Sequence, residues 1–331
     1  MKNRTIRIEE YLAKVKSTFL TGLFLLTAGI IHGQIKWINV DSLYQPLPSS
    51  IHIYFTDSQI DTGTFRAYYL IADMRDKDLE FMADTSKGRR LTPAQFYTKH
   101  EKPLVVVNCS YFSFQTNQNY NIVMNEGRML AGNSRLIRGI GKDSVNTYFL
   151  HSSAIGITKK RKADIAWTKA DSTATIAFAT QEPPVYGTIY KTRRGTGETT
   201  FVDPNNFTKW KMKTAVGGGP VLLQEGQIRI TNEEEKRFTG KALYEKHPRT
   251  AMGYTKDGKL IILVVVGRNK NASGATLTQE AQIFKDLGCR EALNLDGGGS
   301  SCMLVNGKET IKVSDASGQR PIPAVFIIKQ R

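Results

Sequence analysis

Residues 274–307, GATLTQEAQIFKDLGCREALNLDGGGSSCMLVNG, carry the clearest structural pattern of the chain, and the rest can be interpreted outward from them. Thr276 followed by Gln279 has the spacing of a capping box and predicts the start of a helix. Apolar residues then recur at helical spacing as far as Leu287. Gly288 follows at the position where a left-handed helix end favours glycine. The stretch therefore begins with a short amphipathic helix.

A strand, a glycine loop and a hairpin are predicted after this helix. Residues 291–296 alternate with a period of two, which places alternate side chains on opposite faces of a sheet. Three glycines at 297–299 allow a sharp turn and a close approach of a ligand to the backbone. Residues 302–305 form a second strand pattern, and the pair at 306–307, Asn-Gly, favours a tight hairpin turn.

Two carboxylates of this stretch are candidate catalytic groups. Glu280 borders the inward face of the predicted helix, and Asp296 ends the strand where the glycine loop begins. Each has an ordinary structural explanation, since Glu stabilises a first helical turn and Asp before Gly is common in turns. Together with Asn294, Ser300 and Ser301, they favour a functional site over a set of caps.

The same order of elements recurs twice in outline. Residues 92–95 have the capping-box spacing again, and the apolar strand pattern 104–107 leads into a small polar loop and a hairpin at 125–127. A partial third copy lies at 214–226. This pattern predicts weak internal repetition, with three small-residue loops meeting at one cleft. Independent use of common hairpin chemistry is the alternative.

Composition limits the class of protein but does not identify its binding partner. The chain has 331 residues, 40% of them hydrophobic, and a formal charge of +16. Such a chain can bury a large core, and its positive charge favours anionic partners. Phosphates, acidic glycans and nucleic acids all satisfy that condition.

The N-terminal segment predicts export. Residues 1–33 contain a basic start and an apolar run at 19–31 that is shorter than the roughly 20 residues of a membrane span. We expect a cleaved signal peptide, a secreted or periplasmic protein and no stable membrane anchor after cleavage; an uncleaved anchor is the alternative. Residues 34–89 are then a lead-in with N-terminal strands, and residues 90–331 form the catalytic domain.

The cysteines do not indicate a metal site. Cys109, Cys289 and Cys302 lack metal-ligand spacing, and the five histidines form no cluster in the sequence. A Cys109 nucleophile would need a histidine partner, and none is near it in sequence.

An ordered set of motifs resembles the phosphodiester glycosidase family over about residues 90–330. The motifs are Asn108 with Tyr111-Phe112, Gly217-Gly218-Gly219-Pro220, Arg249-Thr250-Ala251, Gly267-Arg268, Gly274-Ala275-Thr276-Leu277 with Glu280, Asn294-Leu295-Asp296-Gly297-Gly298-Gly299-Ser300, and Asp315 to Pro321. For the fold we expect α+β: one compact domain of mixed, mostly antiparallel twisted sheets with a few packed helices.

The resemblance implies an exported hydrolase that cleaves the sugar–phosphate bond of a sugar-1-phosphodiester, similar to N-acetylglucosamine-1-phosphodiester, in a glycan or exopolysaccharide. Asp296 and then Glu280 are the expected catalytic carboxyl groups, because an oxocarbenium-like transition state needs a carboxylate beside the anomeric carbon. Arginines suit phosphate oxygens, and backbone amides of a glycine loop add donors. The expected substrate-binding residues are Asn108, Gly218, Arg249, Arg268, Thr276, Asn294, Gly298, Ser300, Ser301 and Arg320.

Two departures from the family pattern keep a second hypothesis open. Cys109 stands where the first loop of the family usually has glycine, and Val266 stands where aspartate often precedes Gly-Arg. Both are expected at the cleft, so a non-catalytic glycan-binding or exopolysaccharide-assembly protein on the same fold is the alternative. A nucleic-acid partner is disfavoured by the export signal. The sequence does not require a cofactor, although a divalent metal stays open. It also leaves open the identity and anomeric configuration of the sugar, and whether hydrolysis retains or inverts that configuration. The oligomeric state and the strand order are open as well.

Overall fold

The structure, a computed structural model, describes residues 35–61, 63–133, 136–138, 146–149, 151–170, 176–183, 189–192, 199–202 and 206–331. Lys36–Arg331 forms one compact unit. The predicted signal peptide at 1–33 lies outside the described residues. No helix in the described part of the chain has the length and apolar composition needed to cross a bilayer.

Strands dominate the fold. In chain order they are β1 Ile38–Asn39, β2 Ile51–Thr56, β3 Gln59–Ile60, β4 Gly63–Thr64, β5 Ala67–Asp73, β6 Leu79–Thr85, β7 Val105–Asn108, β8 Val123–Asn125, β9 Arg128–Ala131, β10 Leu136–Arg138, β11 Asn146–Phe149, β12 Ser152–Ile157, β13 Ala163–Ala170, β14 Ala177–Thr180, β15 Ile189–Thr192, β16 Thr199–Val202, β17 Thr208–Lys209, β18 Thr214–Gly217, β19 Val221–Gln224, β20 Gln227–Ile228, β21 Arg249–Thr255, β22 Lys259–Val265, β23 Cys289–Asn294, β24 Met303–Val305, β25 Lys308–Glu309 and β26 Ala324–Gln330. The α-helices are α1 Pro93–Lys99, α2 Asn232–Glu235, α3 Lys241–Tyr244 and α4 Leu277–Asp286, and short 3-10 turns lie at Asp41–Leu43 and Gly298–Ser300.

The largest sheet has eight strands in the order β1-β2-β5-β22-β21-β23-β19-β20. The most hydrophobic strand pattern, residues 260–266, predicts a central strand, and the structure confirms it as β22, between β5 and β21. Strand β23, which leads to Asp296, lies between β21 and β19. The site loop therefore begins in the interior of the sheet.

Four further sheets complete the described fold. Their orders are β17-β14-β13-β12-β18-β8-β9, β25-β24-β7-β26-β6, β10-β11-β15-β16 and β3-β4. Every strand pairing between described residues is antiparallel, so the expected mixed sheets are not found there, and the protein is mainly β with a few helices. Strands from 34–89 pair with strands from 90–331 in the eight-stranded sheet and in the five-stranded sheet.

One hydrophobic core joins the three large sheets. It includes Ile53 and Leu70 from the eight-stranded sheet, Val107 and Phe326 from the five-stranded sheet, and Ile155 from the seven-stranded sheet. Burial of this apolar surface, worth roughly 25 cal/mol per Å², stabilises the arrangement. It also fixes the ends of β7, β18 and β23 relative to one another.

Both predicted capping boxes are present. Thr92 accepts from the backbone N–H of Gln95 at the start of α1, and Thr276 accepts from that of Gln279 at the start of α4. The hydroxyl and the glutamine side chain satisfy N–H groups that a helix start leaves unpaired. Helix α4 buries Glu280 together with its apolar face.

Three hairpin turns share one backbone conformation. The pairs Glu126-Gly127, Glu225-Gly226 and Asn306-Gly307 all have positive φ at both residues, from +48° to +77°. Two successive positive φ values define the type I′ turn, which matches the twist of the strands it joins. The repeated strand–loop–strand–turn pattern predicted from the sequence is thus present in the structure.

Candidate active site

Three loops that follow β7, β18 and β23 meet at one place. The backbone N–H of Asp296 donates to the carbonyl of Cys109 at 2.8 Å, and the N–H of Gly219 donates to the carbonyl of Asn294 at 2.7 Å. The Asn294 amide donates to the Tyr111 hydroxyl at 2.6 Å. The predicted convergence of three small-residue loops is therefore confirmed.

Glycine is required where these loops touch. A Cβ at Gly218 would lie 2.4 Å from the carbonyl oxygen of Asn294. A Cβ at Gly219, whose φ is +115°, would lie 2.1 Å from Oε2 of Glu235. Gly218 thus contributes to the site through close backbone packing, and its carbonyl accepts from Asn121 and Arg237.

Asp296 lies at the head of the glycine loop and is partly exposed. Burial of its carboxyl group raises its pKa to about 7, although a hydrogen bond with Ser300, the charge of Arg320, a bond with the Gly297 backbone and the charge of Arg237 all act in the opposite direction. A carboxyl group that titrates near neutral pH can serve as an acid or as a base.

Glu280 and Arg249 form a buried pair beside it. Nε of Arg249 lies 3.7 Å from Oε2 of Glu280, with side-chain exposures of 3% and 0%. That separation exceeds hydrogen-bonding distance, and neither carboxyl oxygen of Glu280 has a hydrogen-bond partner among the described residues. Burial raises the pKa of Glu280 to about 8, and the charge of Arg249 only partly offsets this effect. Burial therefore favours the protonated form of Glu280 over the carboxylate.

The Tyr111 hydroxyl lies among the charged groups of the site. Burial raises its pKa, and the charges of Arg237, Asp296, Arg249 and Glu280 all act on it. Its hydroxyl donates to the carbonyl of Gly219 at 3.0 Å. Two carboxyl groups and two guanidinium groups from four separate segments therefore act electrostatically on one phenol.

Arg237 was not predicted from the sequence. It donates from Nη2 to Ser152 Oγ and to the Gly218 carbonyl, both at 2.8 Å, and its guanidinium lies 4.4 Å from the centre of the Tyr111 ring. Its Nε is buried without a hydrogen-bond partner among the described residues. The neighbouring Phe238 packs edge-on against Tyr111 and lies under the guanidinium of Arg249.

Glu235 anchors the segment that carries Arg237 and Phe238. Its fully buried carboxylate accepts from Ser153 N and Oγ, Trp167 Nε1, Val221 N and Thr231 Oγ1, at 2.7–3.1 Å. The sequence predicts residues 231–246 as a lid or a surface helix. The structure instead shows two short helices and a deeply buried carboxylate.

Arg268 and His247 form a second edge of the site, with the positive charge on Arg268. Arg268 is exposed and has a φ of +59°. Its guanidinium lies 3.5 Å from His247 Nδ1 and also lies next to the position that a Cβ at Gly298 would occupy. Burial lowers the pKa of His247, and the charges of Arg249 and Arg268 lower it further. Gly298 itself has a φ of +62° and donates to the Pro248 carbonyl.

Arg320 is largely engaged within the protein. It forms two hydrogen bonds with Asp315, at 2.7 and 2.9 Å, and a longer one to Ser300 Oγ at 3.4 Å. Since Ser300 also bonds Asp296, Arg320 is linked to the candidate catalytic carboxyl group through that hydroxyl.

Several predicted binding residues take structural positions. Asn108 donates to the Asp296 carbonyl at 2.5 Å and accepts from Thr250 Oγ1 and Cys302 N, so it ties three segments together. Thr276 caps α4. In contrast, Oδ1 of Asn294 and Oγ of Ser301 are buried without partners among the described residues. These two atoms retain hydrogen-bonding capacity for a ligand.

The two departures from the family pattern do not line the cleft with their side chains. Cys109 and Val266 are 1% and 4% exposed and pack in the main hydrophobic core. The loop of Cys109 nevertheless reaches the site through its backbone, because the Cys109 carbonyl accepts from the Asp296 N–H. Burial also raises the pKa of the Cys109 thiol to about 12, which opposes a nucleophilic role. Within the described ranges, no group of three or more His, Cys, Asp or Glu side chains is placed to hold a metal ion.

These observations define a mainly β protein with a carboxyl–guanidinium site built on three loops, two of which contain glycine. A family model for phosphodiester glycosidases matches residues 101–329, more than half of the chain. The protein belongs to the phosphodiester glycosidase family, and the resemblance predicted from the motifs is confirmed.

Individual relatives are distant or cover short segments. The chain is 46% identical over 70 residues to the SPbeta prophage-derived uncharacterized protein YomE of Bacillus subtilis, a match covering 21% of this chain and 11% of that protein. It is 29% identical over 93 residues to N-acetylglucosamine-1-phosphodiester alpha-N-acetylglucosaminidase of Mus musculus, covering 28% and 18%. The matches thus span less than a fifth of the length of either curated relative.

Solved structures share the fold. A hypothetical protein from Synechocystis has a TM-score of 0.59 at 16% identity, with 90% of this chain and 64% of that chain covered. The zebrafish N-acetylglucosamine-1-phosphodiester alpha-N-acetylglucosaminidase catalytic domain, auto-inhibited by its pro-peptide, has a TM-score of 0.56 at 19% identity, with 91% of each chain covered. At such identities these likenesses describe the fold alone.

Proposed function

We propose that the protein is a hydrolase that cleaves the sugar–phosphate bond of a sugar-1-phosphodiester resembling N-acetylglucosamine-1-phosphodiester, within a glycan or exopolysaccharide. The observation that carries this proposal is the set of charges around Tyr111. Asp296 and Glu280 have raised pKa values, their charges and those of Arg237 and Arg249 act on the same hydroxyl, and the Arg237 guanidinium lies 4.4 Å from the centre of the Tyr111 ring. Membership of the phosphodiester glycosidase family supports it.

The arginines supply recognition of the phosphate. Arg237 and Arg249 are buried, and Arg268 lies at the exposed edge near Gly298. A guanidinium presents paired donors that match phosphate oxygens, and its attraction is stronger where water is excluded. We therefore assign the phosphodiester anion to the space bounded by these arginines. Oδ1 of Asn294 is then available to accept from a sugar donor, and Oγ of Ser301 to donate to a sugar or phosphate oxygen.

The two carboxyl groups have different roles in the proposed reaction. As a carboxylate, Asp296 stabilises the positive charge at the anomeric carbon, attacks that carbon, or activates water against it. The protonated Glu280 donates its proton to the departing phosphate oxygen as the bond from the anomeric carbon to that oxygen breaks. Water finally supplies the hydroxyl group of the sugar and restores the proton. A phosphate monoester leaves readily, so the contribution of the acid is smaller than in an ordinary glycosidase.

A direct assay tests this proposal. We would supply an aryl N-acetylglucosamine-1-phosphodiester and measure free sugar and aryl phosphate for the wild type, Asp296→Asn and Asp286→Asn. We expect Asp296→Asn to lower kcat by about a thousandfold, because loss of one acid–base group typically costs 10²–10⁴-fold. Asp286, exposed at the end of α4, is the matched control and should change nothing.

Two results would contradict the proposal. Full activity of Asp296→Asn would remove the mechanism, and tight binding of the diester by the wild type without any turnover would support the alternative of a non-catalytic glycan-binding or exopolysaccharide-assembly protein. Cys109 and Val266 motivate that alternative in the sequence. Their side chains, however, pack in the hydrophobic core and are not among the carboxyl and guanidinium groups of the site.

We also propose that the protein acts outside the cytoplasm, with an anionic sugar phosphate or glycan, rather than nucleic acid, as its partner. The apolar run at residues 19–31 supports export. A structural neighbour from Burkholderia pseudomallei, with a TM-score of 0.52 at 14% identity over 83% of this chain and 75% of that chain, is described as a putative exported protein. Fractionation of cells expressing the full chain would test this location.

A further inference from the structure

An exposed aromatic ring lies between two arginines outside the cluster around Tyr111. Phe114 is 59% exposed, and the guanidinium groups of Arg90 and Arg320 lie 5.5 and 5.3 Å from its ring centre. Arg320 also reaches Ser300, which bonds Asp296. The ring is thus connected by direct contacts to the candidate catalytic carboxyl group.

The loop that carries Phe114 is rigidly closed. Tyr120 N donates to the Tyr111 carbonyl at 2.7 Å, and Ser113 N donates to the Gln118 carbonyl at 2.9 Å. The buried Phe112 packs against Phe114 with ring centres 4.8 Å apart. One end of this loop therefore provides Tyr111 to the catalytic cluster, while its tip holds an apolar ring in solvent. An exposed aromatic ring presents apolar surface that a ligand can cover.

Hydrogen bonds join the segment that carries Arg90 to the Phe114 loop and to the segment that carries Arg320. The amide of Asn117 donates to the Gly88 carbonyl at 3.2 Å. Leu91 and Ile322 exchange backbone hydrogen bonds at 3.0 and 2.8 Å, which joins this segment to the one that carries Arg320. These hydrogen bonds consequently hold together the backbone segments that carry Arg90, Phe114 and Arg320.

The charge around the ring is positive. Lys87 and Arg89 are exposed on the same segment as Arg90, and Arg90 forms no ion pair with any residue that the structure describes. Asp315 is paired with Arg320. An aromatic ring with the uncompensated cation of Arg90 beside it suits a sugar ring that carries a negative substituent, because the ring face covers the C–H face of the sugar and the guanidinium binds the anion.

We infer that Arg90, Phe114 and Arg320 form an outer subsite that binds a second sugar residue bearing a phosphate, so that the preferred substrate is a chain of repeating sugar-1-phosphate units. This inference rests on the proposed function, which places the reacting bond at Asp296. It extends that function by naming the class of substrate as a polymeric sugar phosphate and not a single diester.

Binding measurements test the outer subsite apart from the chemistry. Asp296→Asn would be the background in which turnover is blocked, and the probes would be fluorescently labelled N-acetylglucosamine-1-phosphate diesters with one repeat and with two. We expect the probe with two repeats to bind more tightly. Adding Phe114→Ala or Arg90→Gln should weaken its binding about fivefold to tenfold, with little change for the single repeat.

Matched variants separate this effect from general loss of charge or structure. Phe114→Tyr keeps the ring and should retain binding. Arg128→Gln removes an exposed arginine from β9 and should leave both probes unaffected. Equal weakening for both probes, or none, would overturn the subsite. If the protein binds the two-repeat probe more tightly and Phe114→Ala abolishes that preference, the outer subsite is supported. This holds even if the wild type hydrolyses neither probe, because a lack of hydrolysis contradicts only the proposed function.

Discussion

Nε of Arg249 lies 3.7 Å from Oε2 of Glu280, and both side chains are almost completely withdrawn from solvent. The guanidinium donates instead to the backbone carbonyl of Ala275 at 3.0 Å. Glu280 is therefore close enough to be attracted by the cation but receives no hydrogen bond from it. Burial then has the larger effect, and it raises the pKa of Glu280 to about 8.

The first prediction concerns the pH dependence of stability. Because the folded-state pKa of Glu280 lies above its ordinary value of 4.5, folding favours the protonated group. Its contribution to stability is fully present below pH 4.5 and is lost as the pH rises through about 8. We expect Glu280→Gln, which mimics the protonated form, to reduce the fall in melting temperature between pH 4.5 and about pH 8.

The control for this measurement is Glu101→Gln, which removes a carboxylate that is 89% exposed. Its melting curve should follow the wild type at every pH. Thermal unfolding followed by circular dichroism between pH 4.5 and about pH 8 is sufficient. If the curves of the wild type and Glu280→Gln remain parallel, Glu280 is already ionised at neutral pH and cannot act as the acid.

Local patterns made much of the site predictable from the sequence. The capping box at Thr276 fixes where α4 begins, and helical spacing then directs Glu280 inward. The alternation that ends at Asp296 and the glycines after it locate the site loop. Such features depend on residues within a few positions of one another, so the sequence alone shows them.

Long-range contacts explain what the sequence could not show. Arg237 lies in a charged segment that resembles a surface helix, and it becomes part of the site only because Glu235 is bound by Ser153, Trp167 and other distant residues. Strand order was equally hidden, since β23 pairs with β21 and β19 through contacts between segments far apart in sequence. The small side chain of Cys109 also packs inward, which motif comparison cannot reveal.

The second prediction concerns phosphate binding by Arg237. We expect Arg237→Lys to keep the charge but to lose the planar fork that holds Ser152 and the Gly218 carbonyl, because an ammonium group presents its donors differently. KM for the sugar-1-phosphodiester should rise by about tenfold or more, the equivalent of about 1.5–3 kcal/mol for a charge-assisted hydrogen bond, with a smaller effect on kcat.

Steady-state kinetics and competition by inorganic phosphate would check this expectation. Arg229→Lys is the matched control, since Arg229 is an exposed arginine that bonds Gln224 in a nearby segment. Its kinetic constants should equal those of the wild type. A drop in kcat with unchanged KM and unchanged phosphate inhibition would show that Arg237 does not bind the phosphate.

The third prediction concerns Glu235 as the anchor of the segment that carries Arg237 and Phe238. In Glu235→Gln, an amide NH₂ would replace one carboxylate oxygen and would face either Ser153 or the Trp167, Val221 and Thr231 donors. A buried donor opposite another donor loses its hydrogen bond and its solvation together. We expect a loss of about 2–4 kcal/mol in the free energy of unfolding.

Urea unfolding measures that loss, with Glu233→Gln as the control because Glu233 lies in the same short helix with its side chain 77% exposed. A surface charge of this kind contributes at most about 1 kcal/mol. At urea concentrations where Glu235→Gln is still folded, its KM should also rise, because Arg237 would no longer be held beside Tyr111. Reduced stability with an unchanged KM would mean that the segment does not hold the substrate-binding arginine in place.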